Sequence, residues 1–226
     1  MTLICPPVAR RSAAPPQRQW WSRAWQRMVE ESRSDETEWM RARRLARSGQ
    51  LGAIRVVKGR ALVATHGPEA AEATLSVGVL DSEQIELFSR LVASVPTRLS
   101  ALLSGRLELD LVEEAEELGV ELIGGFGTLA ATCTCLAWHP LCAHALALAI
   151  QVGWAMETDA WVLLTLRGMP REALVARVRS VGPRDSVVGW AADSADVGDG
   201  ETELTTAVEA VFRARRLLQS RPEDQA

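Results

Sequence analysis

Lys58 is the only lysine in this 226-residue chain, and tyrosine is absent. Nearly all positive charge is arginine; with abundant Ala and Val, that bias reads as GC-rich coding and not as selection for phosphate binding. No segment reaches the roughly twenty consecutive apolar residues that span a bilayer. The stretch 143–152 is apolar but short, which suits a buried helix. A secretory signal is also missing: residues 1–8 are too short an apolar run, and Arg10 and Arg11 follow it instead of preceding it. A cytoplasmic protein without a membrane span is expected. Gly124-Gly125-Phe126-Gly127 reads as a flexible turn, without the glycine spacing that cradles a nucleotide phosphate.

Cysteine is sparse, yet three of the four cysteines and two of the three histidines fall within the twelve residues 133–144. Thiolate sulfur and imidazole nitrogen are the ligands Zn²⁺ prefers, and three sulfurs with one nitrogen fill a tetrahedron. Cys133 and Cys135 are two residues apart, so an extended strand points both the same way. Cys142 and His144 repeat the separation where an apolar helix begins. Two pairs, one from a strand and one from a helix start, can close on a single metal ion. Residues 136–141 connect them, stiffened by Pro140. His139 is the competing imidazole, but it lacks the paired spacing and reads as a solvated loop residue. The bland alternative is three buried thiols in an apolar core; ligand type and spacing together favour the metal. Cys5 stands alone and reads as a free thiol.

A zinc with four protein ligands has no open position for water, so it is structural. No catalytic set is visible. The His-x-Glu and Pro-Cys-x-x-Cys pair of a zinc deaminase is missing. A non-enzymatic protein with no small-molecule substrate is expected.

Residues 1–18, with Pro6, Pro7, Pro15 and Pro16, read as a disordered tail. Trp21, Trp25 and Met28 share one helix face. Ser34 or Asp35 caps a second helix, with Trp39, Ala42, Leu45 and Ala46 inward and Gly49 at its end. The stretches 53–57 and 60–65 form a hairpin around Lys58-Gly59, with Val56 facing Ala61 and Ile54 facing Val63. A third strand alternates through Leu75, Val77 and Val79. Asp81 starts a helix through Ile85, Phe88, Leu91 and Val92, which Pro96 ends. A short helix follows, then one carrying Leu111, Val112 and Leu118 and closed by Gly119. Val120, Leu122 and Ile123 suggest a short strand. The helix from Cys142 to about Met156 is apolar nearly all round and should be central. Thr158 or Asp159 caps the next helix, and a last one passes Leu174 and Val178. Residues 182–200 read as an acidic linker and 203–219 as an amphipathic helix. The divisions are a tail at 1–18, a helical and β-meander region at 19–118, the metal region at 119–181 and the acidic end at 182–226.

Charge is uneven. Residues 1–60 hold thirteen basic residues against five acids, whereas 61–226 hold twelve against twenty-four. Arg41, Arg43, Arg44 and Arg47 spread over the outer side of the second helix and are the candidate nucleic-acid contacts. An ordinary solvated face, stabilised at the helix C-terminus, is the alternative. The acidic run 108–121 reads as a solvated helix face.

The pattern Cys133-x-Cys135, six residues, Cys142-x-His144 resembles the SWIM zinc finger. That family usually carries an Asp two residues after the second Cys and a Lys before the His; Ala137 and Ala143 stand there. Trp20-Trp21…Trp25, Ala46-Arg47-Ser48-Gly49, Lys58-Gly59 and Leu164-Thr165-Leu166-Arg167-Gly168 extend the likeness to bacterial SWIM zinc finger proteins over about residues 20–180. The resemblance implies a partner of Snf-type helicases. The expected fold is α+β: helices around a small antiparallel β-meander, with a ββα-like finger leading into the central apolar helix. The expected function is a zinc-binding adaptor that contacts DNA or RNA, a Snf-type helicase, or both. The alternative is a protein-interaction module in which one Zn²⁺ only stabilises the fold.

Overall fold

Period-two alternation builds a sheet in this chain, and 3.6-residue apolar stripes build the helices that cover it. The structure, a computed structural model, describes residues 2–123, 129–135, 137 and 141–181. Among them lie five strands in one antiparallel sheet, ordered β1 to β5: β1 (Leu3–Cys5), β2 (Ile54–Val57), β3 (Arg60–Ala64), β4 (Glu72–Ser76) and β5 (Ala130–Cys133). The helices are α1 (Trp20–Glu31), α2 (Glu36–Ser48), α3 (Ser82–Ser94), α4 (Pro96–Leu103), α5 (Leu109–Glu117), α6 (Ala143–Thr158), α7 (Trp161–Leu166) and α8 (Arg171–Ser180). The architecture is α+β, as expected.

Lys58-Gly59 turns the β2–β3 hairpin; Gly59 has φ 73°, a conformation that favours glycine. Val56 faces Ala61. With Ile54, Val63, Ala73 and Leu75, they bury one face of the sheet. The alternation ends sooner than the sequence suggests. β4 stops at Ser76, and Val79 is exposed. Leu118 is likewise exposed beyond the end of α5. Val120, Leu122 and Ile123 are buried but form no strand.

Residues 1–18 are the main correction. Leu3–Cys5 pairs with β2 in the register Leu3↔Val56 and Cys5↔Ile54. The Arg11 N–H donates to the Arg47 carbonyl at 3.0 Å, which lays the following segment along α2. Strand pairing with residues some fifty positions away overrides the local proline-rich composition. Cys5 is therefore a buried thiol, raised to about 11 by desolvation and by the Asp159 carboxylate, and is poorly ionised at neutral pH.

α6 is the central helix; it packs against α1, α2, β3, β4, β5 and α7. Small residues let its neighbours approach its backbone. The Trp21 indole donates to the Met156 carbonyl (2.7 Å), Ser22 Oγ to Gly153 (2.9 Å) and the Trp25 indole to Ala149 (2.9 Å). Gln151 is buried and donates to the Ala46 carbonyl of α2 at 2.8 Å. α2 starts as expected, with the Asp35 side chain accepting from the Glu38 N–H at 2.7 Å, and ends at Gly49 with φ 80°. A capping box from Asp81 and Gln84 opens α3. Pro96 does not merely end α3; it is the first residue of α4. The acidic face of α5 is partly engaged, because Arg98 reaches Glu114 at 2.5 Å and Asp110 at 3.4 Å. The Arg167 guanidinium donates to the Gly78 carbonyl and, at 2.7 Å, to that of Glu121. It thereby ties the end of α7 to the sheet exit.

The division drawn at residue 118 separates neither sheet nor core, since β5 completes the sheet begun by β1. The turn 124–127, Trp138, His139 and Pro140, and the acidic linker and helix expected over 182–226 lie outside the described residues. Among the described residues no helix is long and apolar enough to cross a membrane.

Candidate metal centre

β5 is the last strand of the sheet, held by β4 with Ala73 opposite Cys133. The strand ends at Cys133, but its backbone path continues. The Thr134 N–H donates to the Glu72 carbonyl at 3.0 Å, and the Glu72 N–H donates to Thr134 Oγ1 at 2.9 Å. Cys135 thus follows the strand end instead of lying within it, a small correction to the expected strand pair. Cys142 is the N-cap of α6 and His144 sits in its first turn. Both are buried, and Cys133 and Cys135 are half-buried.

The potential ligand atoms of Cys133, Cys135, Cys142 and His144 all lie within 4.8 Å of one another. Ligands around a tetrahedral zinc stand about 3.5–4 Å apart, so the four need only small adjustments to close on one ion. The thiols differ in their readiness to ionise. Burial pushes Cys133 up to about 12, and burial also raises Cys142. Burial acts in the same sense on Cys135, but the Ala137 N–H, His144 and the two neighbouring thiols outweigh it, bringing Cys135 down to about 7. Cys135 is therefore the thiol of the three that ionises most readily.

The imidazole is oriented by the β3–β4 loop. His144 Nε2 lies 2.9 Å from the Glu69 carbonyl oxygen. A carbonyl only accepts, so Nε2 carries the proton in the neutral ring and Nδ1 keeps its lone pair for the metal. Glu38 acts on the next residue. Its carboxylate is buried and accepts the Ala143 N–H at 2.6 Å, one of the unpaired donors at the start of α6. Arg41 bridges the two acids, at 2.9 Å from Glu38 and 3.0 Å from Glu69. The chain from Glu38 through Arg41 to Glu69 thus braces both the helix start and the histidine.

Glu69 was not singled out from the sequence, and Glu38 was expected only as the capping partner of Ser34 or Asp35 at the start of α2; its carboxylate instead takes the Ala143 N–H. Glu38 did leave a signal: with Ala42 and Ala46 it completes a four-residue spacing, which puts an acid on the buried stripe of α2. Glu69 contributes a backbone carbonyl to His144, and side-chain patterns carry no trace of that.

The four candidate arginines do not act as one row. Arg41 belongs to the metal end of α2. Arg44 and Arg47 lie at the other end, beside Arg10 and Arg11. Arg43 faces a cavity between α1, α2 and α6. Arg47 donates to the carbonyls of Arg43 (2.9 Å) and Ser12 (3.1 Å).

Residues 117–153 match the SWIM zinc finger family. That span runs from the end of α5 through β5 and into α6, and it contains all four metal-site residues. No curated protein and no solved structure matches the chain. The donor set, the closeness of the four ligands and the family match together identify a site for one structural zinc ion.

Replacing Glu38 by alanine is expected to leave the Ala143 N–H without its acceptor and Arg41 with Glu69 as its remaining acid. Zinc affinity should fall about tenfold or more, the usual scale for groups that brace metal ligands. Glu38→Gln, which keeps an acceptor but loses the charge, should lie between. Competition with a chromophoric chelator measures both. Affinity equal to that of the parent protein in both variants would show that Glu38 does not support the site.

Proposed function

We propose that this protein is a non-catalytic, zinc-stabilised adaptor that contacts nucleic acid and docks with a Snf-type helicase. Four protein ligands leave the metal no coordination position for water, which supports a structural role. The observation that carries nucleic-acid contact is the meeting of Arg10 and Arg11 with Arg44 and Arg47 in one cleft, with no carboxylate among the described residues that line it. Arginine clusters of this kind suit phosphate, which guanidinium binds in a planar, bidentate manner. The helicase partner is supported only by the resemblance of the finger and its flanking motifs.

A second reading, a protein-interaction module, is favoured by the surface around α5. Leu109 and Leu118 are exposed there among Asp110, Glu113, Glu116 and Glu117. Fluorescence anisotropy of the zinc-loaded protein with single- and double-stranded DNA and RNA across a salt series separates the two. Binding that weakens steeply with salt is expected, since each phosphate contact releases counterions. Absence of binding to all four probes at low salt would make the protein-interaction module the better reading.

A further inference from the structure

We propose that the arginine cleft and the tryptophan-lined cavity beside it form one site for an unpaired nucleotide, with phosphate in the cleft and base in the cavity. This rests on the nucleic-acid reading above and narrows it to single strands and to particular residues.

The cleft, of about 440 Å³, is lined by Arg10, Arg11, Arg44 and Arg47 with Ser12 and Gln50 among its polar walls. Arg47 is oriented by two backbone carbonyls, and among the described residues it makes no ion pair with an acid. Arg11 is placed differently: its backbone N–H is bonded to the Arg47 carbonyl, and its guanidinium lies 5.6 Å from the centre of the Trp154 ring. The site exists only because the segment after β1 lies against α2.

Arg47 also lines the neighbouring cavity, and Ser12 of the cleft is followed by Ala13 and Ala14 of the cavity, so the two spaces lie side by side. The cavity measures about 240 Å³ and is bounded by Trp25, Trp39 and Trp154, with Gln17 and Gln26 supplying amides. A flat ring with apolar faces and polar edges matches such a lining. The amides at the wall can pair with the polar edge of a base, which an apolar anchor such as a leucine or phenylalanine side chain lacks, and the four arginines beside them suit its phosphate. A base held in a duplex is not free to enter, so single strands should be preferred.

The test uses the zinc-loaded full chain and labelled oligo-dT, oligo-dA and a duplex of the two. Single strands are expected to bind more tightly than duplex. Arg44→Glu should weaken single-strand binding about tenfold or more, because a phosphate contact becomes a repulsion. Ala14→Trp places a large ring at the exposed rim of the cavity. It should weaken single-strand binding about tenfold, the scale of one lost base–aromatic contact, and leave duplex binding unchanged. Arg179→Glu, on the exposed side of α8, makes the same charge change and should have little effect. Zinc content and circular dichroism confirm folding of each variant, and Gln17→Leu replaces Ala14→Trp should the latter not fold. Failure of the parent protein to bind any probe would overturn both the site and the nucleic-acid reading. Parent binding that Arg44→Glu and the cavity variant leave intact would overturn the site alone. Displacement of oligo-dT by a glutamate-rich peptide at lower concentration than by unlabelled oligo-dT would assign the cleft to an acidic protein segment, and so overturn it too.

Discussion

Chelating zinc from the purified protein is expected to collapse α6 as well as the finger. Metal binding contributes on the order of 10 kcal/mol in small zinc domains. A whole domain is typically stable by only about 5–15 kcal/mol. Loss of the ion therefore removes an amount comparable to the total. The location magnifies the effect: Cys142 and His144 open the helix on which α1, α2 and three strands pack. Without the metal, three thiols and an imidazole would gather at the start of that helix with no shared partner. Far-UV circular dichroism should lose helix, and tryptophan emission should shift to the red as Trp25, Trp39 and Trp154 become hydrated. Cys142→Ala should behave like the chelated parent. The sign of the pH effect follows from the thiols. Cys133, near 12, and Cys142, raised by burial, hold their protons at neutral pH, so binding must release them. Zinc affinity should therefore fall as pH falls, with further loss once Cys135, at about 7, becomes protonated. Unchanged dichroism and emission at zero measured zinc content would sink the claim that the ion holds the fold together.

Much of this arrangement was legible because its determinants are local. The ligand quartet declares itself through residue type and spacing. Asp35 and Gly49 mark the ends of α2, and Lys58-Gly59 marks the hairpin. What stayed hidden was non-local. β1 has three residues, and its reason to be ordered lies in β2, so proline content was a misleading guide. The same pairing moved Arg10 and Arg11 from a tail into a cleft, which no helix wheel of α2 could foresee. Arg41 looked equivalent to Arg44 and Arg47. Its pairing with Glu38 and Glu69 depends on where the β3–β4 loop meets α6. Val79 and Leu118 show the opposite error: each continues a local pattern past the point where its element stops.

Trp25→Ala is expected to lower stability by about 3–5 kcal/mol, the usual scale for truncating a large buried aromatic. Trp25 is fully buried, and its indole N–H is spent on the Ala149 carbonyl. Its ring edge lies against Gly153, where an added Cβ would stand 2.9 Å from Trp25 Cδ1. Two effects compete at Gly153. Alanine is better than glycine inside a helix by about 1 kcal/mol. Against that, Trp25 is pinned by packing and by its hydrogen bond, so it cannot easily yield the missing space. Overpacking of a closed core typically costs about 1–3 kcal/mol. Gly153→Ala should therefore destabilise the parent protein despite its helix propensity. In the Trp25→Ala background the obstacle is gone, and the same substitution should become neutral or stabilising. Urea denaturation of the two single variants and the double variant gives the coupling directly. Additive losses would mean that the ring and Gly153 are not in the close contact described. Zinc affinity provides the control. Gly153 lies ten residues along α6 from Ala143, about 15 Å from the metal end. Trp25→Ala should thus weaken the fold while the folded protein still binds zinc as tightly as the parent.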